Sequence, residues 1–320
     1  MISGVSQPSR RPIFARFEMA TRRSDYQVLP DFKSYSSGVQ LIHRSCNRRI
    51  WSLGSMALCK ESPITPAETP FDDQAIYEFL EERTTIPVPS VISEWVDTGN
   101  NIHYSIKEKI PGESLDQLWP TISWEEKEKM ADETAEYLRQ LRDLTSPYCG
   151  RVEETGIVDQ MLFNCQYPEP QGPFKTEDEL WNAMVATLKG QIPQKALDRL
   201  RAQMPRCEPW TYTHGDLSLG NIIVEKGKVV GIIDWEWSGY FPVWWEYAKF
   251  RGGVPRWIES EWWELLAERM DKYPEAHEFW EKFHSLVHKV ESVYRSMDPR
   301  KLRVGNATLE ELLDDDAYVN

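Results

Sequence analysis

The tightest constraint on the fold comes late in the chain. Asn221–Glu225 and Lys228–Ile233 are two apolar, isoleucine- and valine-rich runs separated by Lys226-Gly227. β-branched runs on either side of a two-residue, glycine-containing break predict a β-hairpin. A tight turn there sets Asn221 roughly opposite Ile232, so Asn221 and Asp234 emerge at the same open end. One offers an amide oxygen and the other a carboxylate. Magnesium takes hard oxygen ligands, with one or two protein carboxylates and the rest from water and phosphate, so this end can present a metal to a nucleotide. Asp216, five residues before Asn221, falls in the loop that enters the hairpin. A carboxylate there can orient a substrate hydroxyl and accept its proton as a phosphoryl group moves. His214 and Gly215 come just before it, and His214 is read as a structural histidine that hydrogen-bonds the loop.

The regions before the hairpin differ in kind. Residues 1–37 read as a loose arm and 38–110 as strands around one helix. Arg49–Gly54 and Met56–Lys60 flank a Gly-Ser break and predict a hairpin. A helix is expected after Thr69-Pro70, with Thr69 as its cap and Ala75, Ile76, Phe79 and Leu80 on one face. Ile86–Pro89 must be extended, because each proline pushes its predecessor out of the helical region. Another strand is expected near His103–Glu108, and Pro111-Gly112 marks the boundary between lobes. Residues 111–305 are mainly helical, with capping boxes at Ser123–Glu126 and Thr176–Glu179 and further helices over 243–250, 258–270 and 275–296. Residues 306–320 form an acidic tail. A strand-rich lobe followed by a helix-rich one is an α+β pattern.

Charge narrows the partners. Fifty-one acidic against 37 basic side chains leave a net charge of -14, the wrong sign for a general nucleic-acid binder. The acidic surface is compatible with a cationic small substrate and equally with solubility alone. The five cysteines are scattered with no C-x-x-C pair, which argues against a zinc site and fits a reducing, cytoplasmic setting. No apolar run is long enough to span a bilayer. Arg10, Arg11, Arg16, Arg22 and Arg23 have the look of a targeting sequence, but Pro8, Pro12 and Glu18 interrupt any helix there. Oligomeric state is not legible.

The hairpin block resembles the signature of the aminoglycoside phosphotransferase and choline-kinase-like family, H-G-D-x-x-x-x-N followed by a hydrophobic strand and I-D-W. Three further segments resemble those of its fungal-type branch, in the same order: Thr84–Pro89, Lys109–Leu115 and Tyr240–Tyr247. The resemblance implies a protein-kinase-like bilobal fold and transfer of the γ-phosphoryl group of ATP, with Mg2+, to a small-molecule hydroxyl. By position it makes Asp216 the catalytic base and Asn221 and Asp234 the metal ligands. Lys60 becomes the lysine on the phosphates, and Lys107, Glu108, Lys109 and Ile110 the hinge whose backbone meets the adenine.

Two departures stand out. The helix glutamate that pairs with the family lysine has Asp73 as its nearest counterpart, one methylene shorter, with Glu78 as a weaker candidate. The glycine-rich phosphate loop is missing, with Gly54 the only glycine in residues 39–60. A catalytically inactive nucleotide- or partner-binding protein of the same fold is therefore the alternative. A protein kinase fits less well, since Gly215 stands where such kinases carry arginine and no A-P-E segment follows Asp234. Late tryptophans, from Trp235 to Trp280, suit core packing or an aromatic cage for an amine. Glu236 and Glu246 flank the metal end, where they can meet a cationic substrate or, for Glu246, brace the following helix.

Overall fold

The computed structural model describes residues 38–45, 48–64, 72–163, 169–252 and 260–295. The expected arm over 1–37, the acidic tail over 306–320 and the Thr69-Pro70 cap lie outside them.

The first lobe is a five-stranded antiparallel sheet in the order β1-β2-β3-β5-β4. Its strands are β1 (Val39–Ser45), β2 (Arg48–Leu53), β3 (Ala57–Pro63), β4 (Val91–Asp97) and β5 (Ile102–Glu108). Helix α1 (Asp73–Arg83) packs on it through Ile76, Phe79 and Leu80, all buried. Its cap is Asp72, whose carboxylate accepts from the Ala75 N–H. Glu94 on β4 accepts from the backbone of Asp73 and Gln74, which sets a negative charge against the positive end of the helix dipole.

After β5, Gly112 has φ +129, and a Cβ there would lie 2.5 Å from the Val224 carbonyl oxygen, so only glycine lets the chain pass. Just beyond, β6 (Glu113–Ser114) pairs with β9 (Ile222–Glu225), and β9 pairs with β10 (Lys228–Ile232). Lys226 and Gly227 both have positive φ, as the tight turn requires. A bulge between Val229 and Gly231 shifts the register by one residue, so Ile222 opposes Ile232, and Asn221 opposes Ile233 rather than the expected Ile232.

The rest of the second lobe is helical: α2 (Leu115–Leu118), α3 (Trp124–Asp143), α4 (Glu177–Met184), α5 (Gln194–Gln203), α6 (Trp245–Gly252), α7 (Ser260–Arg269) and α8 (Pro274–Arg295). Both expected capping boxes form, Ser123 with Glu126 and Thr176 with Glu179. A second small sheet, β7 (Thr145–Ser146), β8 (Trp210–Thr213) and β11 (Gly239–Phe241), has no counterpart in the sequence expectations. Trp244, Trp245, Trp262 and Trp280 are fully buried and pack edge to face with one another or with neighbouring rings, so these tryptophans form core and not an amine cage. The architecture is α+β with the protein-kinase-like division into a sheet lobe and a helical lobe.

Candidate active site

β8 runs straight into His214-Gly215-Asp216, and β10 into Asp234. Gly215 has φ +80, and a Cβ there would meet the Trp237 carbonyl oxygen at 2.7 Å, so glycine lets the loop lie against the turn after Asp234. Asn221 donates its amide Nδ2 to the Asp216 carbonyl oxygen at 2.7 Å and to Asp216 Oδ2 at 3.1 Å. That leaves the amide oxygen of Asn221 for a metal. Asp216 is exposed on the cleft, although protein atoms crowd around its carboxyl. Burial, only partly offset by the Lys249 ammonium, pushes its carboxyl up to about 6. A carboxylate titrating near there is suited to accept a proton at neutral pH.

The loop is braced from inside the same lobe. His214 is fully buried, its Nδ1 accepting from the Asp216 N–H at 3.1 Å and its Nε2 facing the Ile233 carbonyl oxygen at 3.0 Å. The ring therefore ties Asp216 to the residue before Asp234. Burial lowers its pKa to about 4, so it is neutral with the proton on Nε2. Glu246, at the start of α6, accepts from the N–H groups of His214 at 2.8 Å and Gly215 at 3.3 Å. Its carboxyl is buried and raised by that burial. Glu246 thus supports the loop through its Oε2.

The sheet side differs from expectation. Lys60 on β3 is bound by Asp234 and, at 3.0 Å, by Glu236, and Glu236 also binds Arg48 at the start of β2. Burial opposes the Lys60 charge, but the two carboxylates outweigh it and raise its pKa. Burial likewise opposes ionisation of Asp234, and Lys60 overcomes it and lowers the pKa. Asp73 does not pair with Lys60. Its Oδ2 lies 2.7 Å from Lys107 Nζ, and Lys107 also donates to the Tyr77 hydroxyl at 3.1 Å. The reason is register: Lys107 opposes Leu58 and Lys60 opposes Ser105, so both lysines project from the same face of the sheet, and the short aspartate meets the nearer one. Glu78 bonds to Gln74 on the exposed face of α1. At the hinge, the Glu108 N–H is bonded to the Ser90 carbonyl and the Lys109 N–H to the Met56 carbonyl. A base there has only the remaining backbone groups, such as the Ile110 amide. The Ile110 side chain packs over Gly231, where a Cβ would stand 2.4 Å from it.

Sequence reasoning missed Arg48, because its partner Glu236 lies 188 positions away in the sequence. It also missed Asp159 and Lys249. Asp159 is fully buried and accepts from Lys249 at 2.7 Å, from Trp245 Nε1 at 3.1 Å and from the Met161 and Leu162 N–H groups, each at 2.9 Å. A single aspartate 90 positions from its lysine leaves no local signal in the sequence.

Known structures share this architecture. A thermostable mutant of aminoglycoside phosphotransferase APH(4)-Ia, in a ternary complex with AMP-PNP and hygromycin B, superposes with a TM-score of 0.52 at 14% identity, covering 88% of this chain and 95% of that one. The gentamicin complex of APH(2")-IIa gives 0.51 at 13%, covering 87% and 92%. At such identity the likeness speaks for the fold. The sequence itself matches the phosphotransferase enzyme family over residues 41–284, and the chain belongs to that family.

Proposed function

We propose that this phosphotransferase transfers the γ-phosphoryl group of ATP, with magnesium, to a hydroxyl of a small molecule. The observation that carries the proposal is the convergence of Asp216, Asn221 and Asp234 at one end of the β9–β10 hairpin, with Lys60 reaching them from the sheet.

The donor set suits magnesium. One carboxylate held ionised by Lys60 and one amide oxygen, with no larger His, Cys, Asp or Glu cluster among the described residues, leave the other ligand positions to phosphate and water. Asn221 and Asp234 would hold the ion, which when bound neutralises charge on the phosphates. Lys60 steadies the phosphates, and the Ile110 amide and neighbouring carbonyls receive the base. Asp216 orients the acceptor hydroxyl and takes its proton. His214 and Glu246 keep Asp216 in place. Little covalent chemistry is asked of the protein, since positioning and charge stabilisation dominate phosphoryl transfer.

The rival, nucleotide binding without turnover, has one observation in its favour: Asp73 is bound to Lys107 instead of Lys60. Asp216→Asn separates the two. In a magnesium-dependent transfer screen with radiolabelled ATP over a metabolite extract, wild type should label a product. The variant should lose that activity by about 10³-fold or more while still binding ATP, on the scale of losing a general base and its positioning. Full activity in Asp216→Asn would remove Asp216 from the mechanism. ATP binding by the wild type with no product labelled would favour the rival.

A further inference from the structure

The missing glycine-rich loop leaves one task without an owner. Such a loop brings backbone N–H groups to phosphate, whereas Gly54, the only glycine of residues 39–60, lies in the turn between β2 and β3. Side chains of the sheet must then hold the end of the nucleotide farthest from the base.

Strand register shows which side chains can. The sheet ends beside the hinge where Glu108 opposes Ala57 and Ala57 opposes Leu53. Lys60 lies three residues further along β3 and opposes Ile50. Arg48 is two residues beyond Ile50 on β2, so it projects from the same face as Lys60. It stands about 7 Å farther from the hinge, at about 3.3–3.4 Å per residue. Arg49 projects from the other face, where its cross-strand neighbour Glu61 binds it. A nucleotide whose base sits beside Ile110 and whose nearer phosphates meet Lys60 therefore carries its terminal phosphate toward Arg48.

The ion pairs agree with the register. Lys60 Nζ donates to Asp234 and, at 3.0 Å, to Glu236 Oε2, while Glu236 Oε1 accepts from Arg48 Nη1. Two cations thus converge on one anionic group, and that group shares Lys60 with Asp234. Arg48, Lys60 and Glu236 all line one cavity of about 100 Å³, so the carboxylate between the cations borders open space. Arg48 keeps 41% of its side chain exposed while bound to Glu236, so a ligand can reach it. A terminal phosphate brings about two negative charges and three acceptor oxygens. Glu236 brings one charge divided between two cations. The planar guanidinium can also meet two phosphate oxygens at once.

We propose that Arg48 receives the terminal phosphate of the nucleotide and exchanges the Glu236 carboxylate for it. The proposal rests on the phosphotransferase site proposed above and adds to it the residue that tells a triphosphate from a diphosphate.

The test compares MgADP with MgAMP-PNP, which keeps a third phosphate and is not consumed, by isothermal titration calorimetry on the full-length protein. Arg48→Ala should weaken MgAMP-PNP at least about tenfold, the scale of one charge-assisted contact, and change MgADP by less than about twofold. Retained MgADP binding also shows that the variant is folded. Arg48→Lys should keep part of the affinity for MgAMP-PNP. Glu236→Gln removes the competing charge at constant side-chain length and should tighten MgAMP-PNP by about threefold or more. Equal weakening of both nucleotides in Arg48→Ala and Arg48→Lys, or no weakening of MgAMP-PNP in either, would overturn the assignment. So would a Glu236→Gln variant that loses affinity for MgAMP-PNP as Arg48→Ala does, since the pair would then be a strut across the cleft. Failure of the wild type to bind MgADP at all would instead count against the phosphotransferase site itself.

Discussion

On the helical side of the cleft, every bond that fixes Asp216 has both partners in that lobe. His214 joins the Asp216 N–H to the Ile233 carbonyl, and Glu246 closes the His214 and Gly215 N–H groups. On the sheet side, Lys60 and Arg48 are held by side-chain ion pairs that cross the cleft to Asp234 and Glu236. The first arrangement is buried and uses backbone groups, which are costly to leave unpaired. The second is partly exposed and exchangeable, because an arriving phosphate offers the same cations an equivalent anion. Under the proposed function the two walls have separate tasks: the helical wall is preorganised, and the sheet wall would trade its internal carboxylates for phosphate.

The comparison breaks most visibly at Glu246. Glu246→Ala leaves two buried N–H donors without an acceptor, at about 1–3 kcal/mol each. The expected outcome is a melting temperature lower by about 10 °C, taking about 2–4 °C per kcal/mol for a chain of this size, and turnover reduced by about 10²-fold through a displaced loop. Thermal unfolding and radiolabelled transfer measure both. Glu246→Gln keeps an acceptor oxygen and should recover most of each loss. Wild-type stability and rate in the alanine variant would mean that the loop needs no internal brace.

Acidity gives the next effect. With the Asp216 carboxyl raised to about 6, chiefly by burial, the basic form disappears as pH falls. Turnover should drop toward tenfold per pH unit below about 6 and level off above it. The stability consequence has the opposite sense. A carboxyl raised above its unfolded value favours the fold below the unfolded pKa, and that contribution is lost as pH rises through about 6. Asp216→Asn should therefore melt higher than wild type at pH 7 and no higher near pH 3. A pH-independent difference would mean that ionisation of Asp216 is not what strains the fold.

The same division explains what could be read from the sequence. The hairpin, the capping boxes at Ser123 and Thr176 and the buried face of α1 all depend on neighbours within a few residues, so pattern alone exposes them. The register at Asn221 differs by one from the expected pairing because a bulge leaves no composition signal. The partners of Lys60, Asp73 and Glu236 were hidden for another reason. In each case the choice lay between carboxylates or cations brought near by the sheet, and which one wins depends on side-chain reach and strand register. The Asp159–Lys249 pair and the Gly150–Tyr240 bridge join segments about 90 residues apart and were illegible for the same reason.

The smallest effect on turnover is expected at Lys107 and Asp73, and it sharpens the comparison by asking whether that pair belongs to the sheet's exchangeable set. Asp73 is buried and Lys107 largely covered, at 5% and 13% exposure, so removing one leaves a charge without its partner. Lys107→Met should destabilise the protein by about 3 kcal/mol, and Lys107→Met with Asp73→Asn should recover most of that, because replacing a buried pair together is commonly near neutral. Asp73 does not hold Lys60, so the double variant should turn over within a few-fold of wild type, with at most a modest rise in KM for ATP. Stability, turnover and KM are read from thermal unfolding and radiolabelled transfer on the same preparations. A roughly hundredfold slower turnover in a double variant with restored stability, the scale of a misplaced reacting group, would mean that the pair exchanges partners during the reaction and that Asp73 moves to Lys60 once Asp234 is drawn away.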